Sequence, residues 1–319
     1  MKISARHHRK VVNKSVPAPK PMDSPTVNLL SLMRQRTESL IAAGNYDEAY
    51  HAASAAVEKT QRLLGSDPDS IDAFANALEL RGEIARYLAR YEQARDDYRQ
   101  AIDQLDNHPG RTAQIGRLYA ALGAAQDALG NPERAAVMWA QAITYFERHE
   151  PPLILDIASI ANNIGFLKKA SGDLDSAETN FLRSLEILHE QYGSDHEETA
   201  CVSNNLGALY QAAGYFEQAR EMHMMALDAR RKILGETHPD TAQSHNNLAL
   251  ALLDTGDRTW ARRHFEKSLA SFEALGAEYA DDLDAVASNY CEFLRAEGES
   301  ALAETIAGRV QAQLSSLQA

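Results

Sequence analysis

Apolar and small residues run along this chain in paired bursts. Within a burst they recur every three to four residues, the spacing that gives a helix one buried face. In residues 199–234 (TACVSNNLGALYQAAGYFEQAREMHMMALDARRKIL) the break between the bursts falls at Gly214. A glycine there takes a positive φ without penalty and ends the first helix. In the sister segments Asn45, Asn131, Asp173 and Asp257 stand where an N-cap belongs, and Pro132 suits a first-turn position. Each pair of bursts therefore predicts a helix-turn-helix.

The pairs repeat. Ala49, Ala94, Ala135, Ala177, Ala219, Ala261 and Ala303 are separated by steps of 45, 41, 42, 42, 42 and 42 residues. Five positions earlier stand Gly44, Gly130, Gly172, Gly214, Gly256 and Gly298, with Ala89 in the second slot. Twelve positions earlier stand Gly82, Gly123, Gly165, Gly207, Ala249 and Cys291. A fixed period of this size means a stack of units, each too small to bury its own apolar face. The pattern predicts an all-α solenoid of about seven helix-turn-helix units: 26–65, 69–107, 111–149, 153–192, 197–234, 239–275 and 279–319. The small slots predict close helix crossings. Tyr98, Trp139, Phe181 and Phe265, four residues after the alanines, are expected to fill the gap between neighbouring units. In the joints Gly193-Ser194-Asp195-His196 and Gly235-Glu236-Thr237-His238, glycine ends one helix and polar residues cap the next. The last helix, 299–317, is expected to close the stack with Leu302, Ile306, Val310, Leu314 and Leu317 on one stripe.

Charge adds a second feature. The chain carries a formal net charge of −13, yet residues 1–25 hold Lys2, Arg6, Arg9, Lys10, Lys14 and Lys20 against Asp23 alone. This proline-bearing basic stretch is expected to be a disordered tail able to touch acidic surfaces. The strongly acidic remainder argues against nucleic acid as a partner. Cys201 and Cys291, 90 residues apart, make neither a disulfide framework nor a metal spacing, and are expected to be small, buried or half-buried side chains. The absence of a long apolar run or a secretory signal leads to the expectation of a cytoplasmic protein. No catalytic triad, phosphate loop or dinucleotide fingerprint stands in a supporting context, so no enzyme, cofactor or metal is expected. His196 and His238 are read as capping residues in matched loops.

The order L-G-x-x-Y … A-x-x-x-F … A is that of the tetratricopeptide repeat, carried here by Leu206-Gly207, Tyr210, Ala219 and Ala226, with His223 where an aromatic is usual. The 42-residue period, the joint Leu234-Gly235-Glu236-Thr237-His238-Pro239-Asp240-Thr241-Ala242 and the segment Asn246-Asn247-Leu248-Ala249 resemble the kinesin light chain repeat. Asn204-Asn205-Leu206-Gly207 and Asn162-Asn163-Ile164-Gly165 are close variants. The resemblance implies a right-handed superhelix. A kinesin light chain also carries an N-terminal heptad coiled coil that joins it to the motor; only the basic tail precedes the repeats here, so motor binding is not expected. Light-chain-like proteins of bacteria with tubulin-like filaments are similar, and that likeness implies filament and membrane contacts.

Asn163, Asn205, Asn247 and Asn289 occupy one slot in four consecutive units, preceded by Asn162, Asn204 and Asn246 in three of them. A side-chain amide both donates and accepts, so a row of them can hold the backbone of an extended peptide, a use the resemblance also implies. The alternative is that they brace neighbouring helices through backbone carbonyls. Lys169, Gln211 and Arg117 share the partner-facing register. Lys2, Arg6, Arg9, Lys10 and Lys14 are the candidates for contact with an anionic membrane or acidic surface. The expected function is a non-enzymatic adaptor that binds a peptide segment or a filament subunit of tubulin-like kind and links it to membrane or cargo. A peptide-sensing regulatory receptor and a client-specific chaperone are the alternatives.

Overall fold

The structure is a computed structural model that describes residues 24–106, 108 and 110–317. The basic stretch with Lys2, Arg6, Arg9, Lys10 and Lys14 lies outside the described residues. Among those described, every regular element is helical. The chain divides into two compact units, residues 1–138 and 139–319.

The N-terminal unit holds α1 (Ser24–Ala42), α2 (Tyr46–Leu63), α3 (Pro68–Tyr87), α4 (Tyr91–Leu105) and α5 (Thr112–Ala128). The division falls inside α6 (Pro132–Arg148). The C-terminal unit continues with α7 (Ile154–Ala170), α8 (Leu174–Tyr192), α9 (Glu197–Ala213), α10 (Phe216–Leu234), α11 (Pro239–Asp254), α12 (Arg258–Ala274), a 3-10 turn (Ala277–Tyr279), α13 (Ala280–Ala296) and α14 (Ser300–Leu317). Within each unit a helix packs chiefly on its neighbours in sequence. The odd-numbered helices also touch across one position: α3 with α5, α7 with α9, and α9 with α11.

The helix breaks follow the glycine slots. Gly214 sits at φ 80°, in the left-handed region, and its N–H returns to the last turn of α9. At the one slot without glycine, Ala89 takes φ 54°, a conformation that disfavours any residue with a Cβ. The caps divide. Asp173 and Asp257 accept hydrogen bonds from the N–H groups of Ser176 and Trp260. Asn45 makes no side-chain cap bond, and the Asn131 amide donates to Gln126 Oε1 instead. His196 and His238 each accept the N–H two residues on, from Glu198 and Asp240, as capping histidines do.

All seven repeat alanines are fully buried. Ala219→Leu should therefore overpack the α9–α10 crossing and cost about 1–3 kcal/mol; a denaturant melt that leaves the midpoint unmoved would refute that placement. The large residues differ from expectation. Instead of lying only between units, Tyr98 and Phe181 cover the small residue of their own hairpins, Gly82 and Gly165, and His223 in the same slot lies over Gly207. Phe265 also reaches forward to Tyr290 and Phe293, with ring centroids 5.6 and 5.8 Å away. In α14 the buried stripe is Ala303, Ile306 and Val310, while Leu302 is exposed. The register is set by the repeat alanine, whose small side chain allows the close crossing. Cys201 is exposed rather than buried, and Cys291 is buried.

Candidate functional site: an asparagine ladder on the odd-numbered helices

α7, α9, α11 and α13 carry the asparagine slots. Because α7 touches α9 and α9 touches α11, residues one repeat apart come within side-chain reach. The amides pair across the repeats in a staggered ladder. Asn205 Nδ2 donates to Asn162 Oδ1 at 3.0 Å, Asn247 Nδ2 to Asn204 Oδ1 at 2.8 Å, and Asn289 Nδ2 to Asn246 Oδ1 at 3.2 Å. The second asparagine of one repeat thus holds the first of the repeat before. The bracing runs through side-chain oxygens, where the sequence suggested backbone carbonyls. Each donor amide has a second N–H beyond the ladder bond.

Further side chains fix the ladder. The Asn204 oxygen also accepts from His223 Nδ1 at 3.1 Å, and the Asn247 oxygen accepts from Gln243 Nε2 at 3.1 Å. His223 is fully buried. Burial, with Lys169 and Arg230 nearby, pushes its pKa down to about 4, so the ring is neutral. Its Nε2 has no hydrogen-bond partner.

Among the other candidates, Gln211 Nε2 donates to Asp254 Oδ2 at 2.6 Å, one repeat on. Lys169 is half-buried on α7, and desolvation lowers its pKa. Asn163 is half-buried on the same helix. Arg117 is exposed on α5, in the N-terminal unit. The ladder therefore joins the asparagines of α7, α9, α11 and α13, with Gln211 bonding alongside.

Sequence reasoning missed two buried polar groups. In the first, Arg230 reaches from α10 to α11, donating to Ser244 Oγ at 2.8 Å and to the Asp240 carbonyl at 3.2 Å. In the second, His245 and His264 face each other with Nδ1 atoms 2.7 Å apart, and His245 Nε2 lies 3.3 Å from Glu236 Oε1. A proton on His245 Nε2 and another on His264 Nδ1 satisfies both contacts. The 19-residue separation of His245 and His264, equal to that of Asn204 and His223, was the available signal. Among the described residues no cluster of three or more His, Cys, Asp or Glu side chains could hold a metal ion. No described helix is long and apolar enough to cross a membrane.

Comparison with known proteins agrees with this architecture. Tetratricopeptide-repeat family models match residues 156–232 and 198–274, and a further one matches residues 75–104. A search of curated proteins gave no match. Among solved structures, BtubC (BKLC) from P. vanneervenii is 23% identical, with a TM-score of 0.63, over 72% of this chain and 91% of that one. A putative kinesin light chain from Podosopora anserina with nearly identical TPR-like repeats is 19% identical, with a TM-score of 0.52, over 62% and 95%. The apo form of RapI is 13% identical, with a TM-score of 0.63, over 90% and 99%. At these identities the likeness is one of fold. The repeat matches and the 42-residue period show that residues 75–104 and 156–274 carry tetratricopeptide repeats, and the chain shares its fold with kinesin light chain-like repeat proteins.

Proposed function

We propose that the protein is a non-enzymatic adaptor that binds an extended segment of a protein partner along the asparagine row of the C-terminal unit. The observation that carries this reading is the ladder itself. It orients Asn205, Asn247 and Asn289 in one register, each with an N–H beyond the ladder bond. Donors spaced by successive helices suit backbone carbonyls of an extended chain, and recognition through the backbone tolerates many sequences. Asn163 and Lys169 extend the row on α7 and Gln211 on α9; in the N-terminal unit Arg117 on α5 is a separate candidate for partner contact. The resemblance to kinesin light chain-like repeats supports a filament subunit of tubulin-like kind as the partner class. The basic stretch Lys2, Arg6, Arg9, Lys10 and Lys14 suits an anionic membrane, at about 1 kcal/mol per basic residue near such a surface. The working location is the cytoplasm, at a filament or membrane periphery. A second reading, a receptor for a regulatory peptide, would use the same row of amides.

The test is the double variant Asn205→Ala with Asn247→Ala. It should lose the partner that the wild-type protein retains in an affinity pull-down from its native cells. Its melting temperature should change little, because the two half-buried amides contribute modest net hydrogen-bond energy. A variant that captures the same partner as the wild type would exclude the row as the binding surface.

A further inference from the structure

A cavity of about 450 Å³ opens beside the first rung of the ladder, between α7, α8 and α9. Leu155, Leu188 and Val202 make its apolar wall, and Tyr192 stands at its edge with its ring stacked on His196, centroids 4.0 Å apart. Two carboxylates line it, Asp156 in the first turn of α7 and Glu198 in the first turn of α9. The residues lining it include no lysine or arginine. Among the described residues, neither carboxylate has a salt-bridge partner or accepts a hydrogen bond from another side chain.

The second observation is Ser184. It lines the same cavity, is fully buried, and its hydroxyl oxygen has no hydrogen-bond partner. The equivalent residue two repeats later, Ser268, is also fully buried but donates to the Ala242 carbonyl at 2.7 Å. An orphaned buried hydroxyl is costly, and its partner is found in a water or a ligand. Asn162, whose oxygen receives Asn205, lines the cavity as well.

We infer that this cavity binds an organic cation: the side chain of an arginine or lysine from a protein segment lying along α7 and α9. Leu155, Leu188 and Val202 take the alkyl stem, the Tyr192 ring presents a π face to the charged head, and Asp156 and Glu198 neutralise it. Ser184 Oγ accepts one of its N–H groups. The net charge of −13 favours a basic partner over an acidic one through long-range attraction. The inference rests on the adaptor reading only for what delivers the side chain. The cavity itself is testable without the asparagine row.

The probe is n-butylguanidinium, titrated into the full-length protein and followed by the backbone amide shifts of Leu188 and Val202. Saturable binding in roughly the millimolar range is expected, since a ligand of so few atoms gains little affinity. It should weaken more than about 10-fold in Asp156→Asn with Glu198→Gln, as expected when charge-assisted hydrogen bonds are removed. It should weaken several-fold in Ser184→Ala and remain unchanged in Glu197→Gln, the neighbouring acid outside the cavity lining. Equal binding of n-butanol would make the cavity merely apolar and overturn the assignment. So would an absence of saturable shifts, or full affinity in the double variant with a wild-type melting curve. A loss of n-butylguanidinium binding with an intact Asn205 and Asn247 effect refutes the cavity alone. The converse refutes the asparagine row alone.

Discussion

Replacing Phe181 by alanine should destabilise the C-terminal unit by about 3–5 kcal/mol, the usual cost of deleting a buried aromatic ring. The ring is fully buried on α8 and packs in a cluster with Leu188 of its own helix, Ala158 of α7 and Val202, Leu206 and Leu209 of α9. It also lies flat over the backbone of α7 at Gly165, where an added Cβ would stand 2.7 Å from the ring. That contact makes the pair non-additive. Alone, Gly165→Ala gains up to about 1 kcal/mol of helix propensity but overpacks the ring, at about 1–3 kcal/mol, so the net effect is a loss. In the Phe181→Ala background the new methyl enters vacated space, the overpacking term vanishes, and the same substitution becomes stabilising. A double-mutant cycle in guanidinium chloride reads this reversal directly. Strictly additive values would mean that the ring and the glycine do not meet. Because a repeat contacts only its neighbours, the loss should be confined to hairpins near α7–α9, and hydrogen exchange should register it there first.

Lowering the pH from 7 to 4.5 should sharply destabilise the same unit. His223, His245 and His264 each have a pKa pushed down from 6.5 to about 4, burial being the first cause in every case. Lys169 and Arg230 act with burial on His223, while His245 also feels His264 and Lys267. Arg231 and Lys267 act on His264, and Glu236 partly opposes the shift at both members of the pair. Between about pH 6.5 and 4 the unfolded chain binds protons that the folded chain refuses, so folding loses free energy as the pH falls. The stabilisation is complete above the unfolded value. For His223 alone it amounts to about 3 kcal/mol at neutral pH. His245 and His264 add to it as a coupled pair that does not divide into two independent contributions. Carboxylates with depressed values, such as Glu236 at about 2, lose their stabilisation only in a lower window. Denaturant midpoints measured across this range should therefore fall most steeply between pH 6.5 and 4.5. His223→Phe, which places in this hairpin the ring found in its neighbours, should flatten the decline. A midpoint constant down to pH 4.5 would show that these imidazoles are hydrated.

The histidine sites illustrate what a linear reading could reach. His223 was visible as an exception, since an imidazole stands where Phe181 and Phe265 stand in sister hairpins. Its bond to Asn204 was not visible, because it links residues on two helices whose rotation about their axes follows from packing. The same holds for the asparagines. Their slot was legible from the 42-residue period, but the stagger that pairs Asn205 with Asn162, and Asn247 with Asn204, depends on the offset between successive hairpins. The cavity at Ser184 was hidden for a related reason. Its walls come from α7, α8 and α9, and the sequence does not distinguish the unpartnered Ser184 from Ser268, which bonds the Ala242 carbonyl.

The order of glycines, alanines and apolar bursts determined by itself that this chain is all helical, paired and repeated, because local backbone freedom and a 3.6-residue period need no distant partner to be expressed. Which large residue covers which glycine, which amide holds which, and which hydroxyl is left without a partner were decided only when the helices packed. Those contacts depend on distances of a few tenths of an ångström across hairpins, and side-chain direction at that scale is a property of the assembled stack.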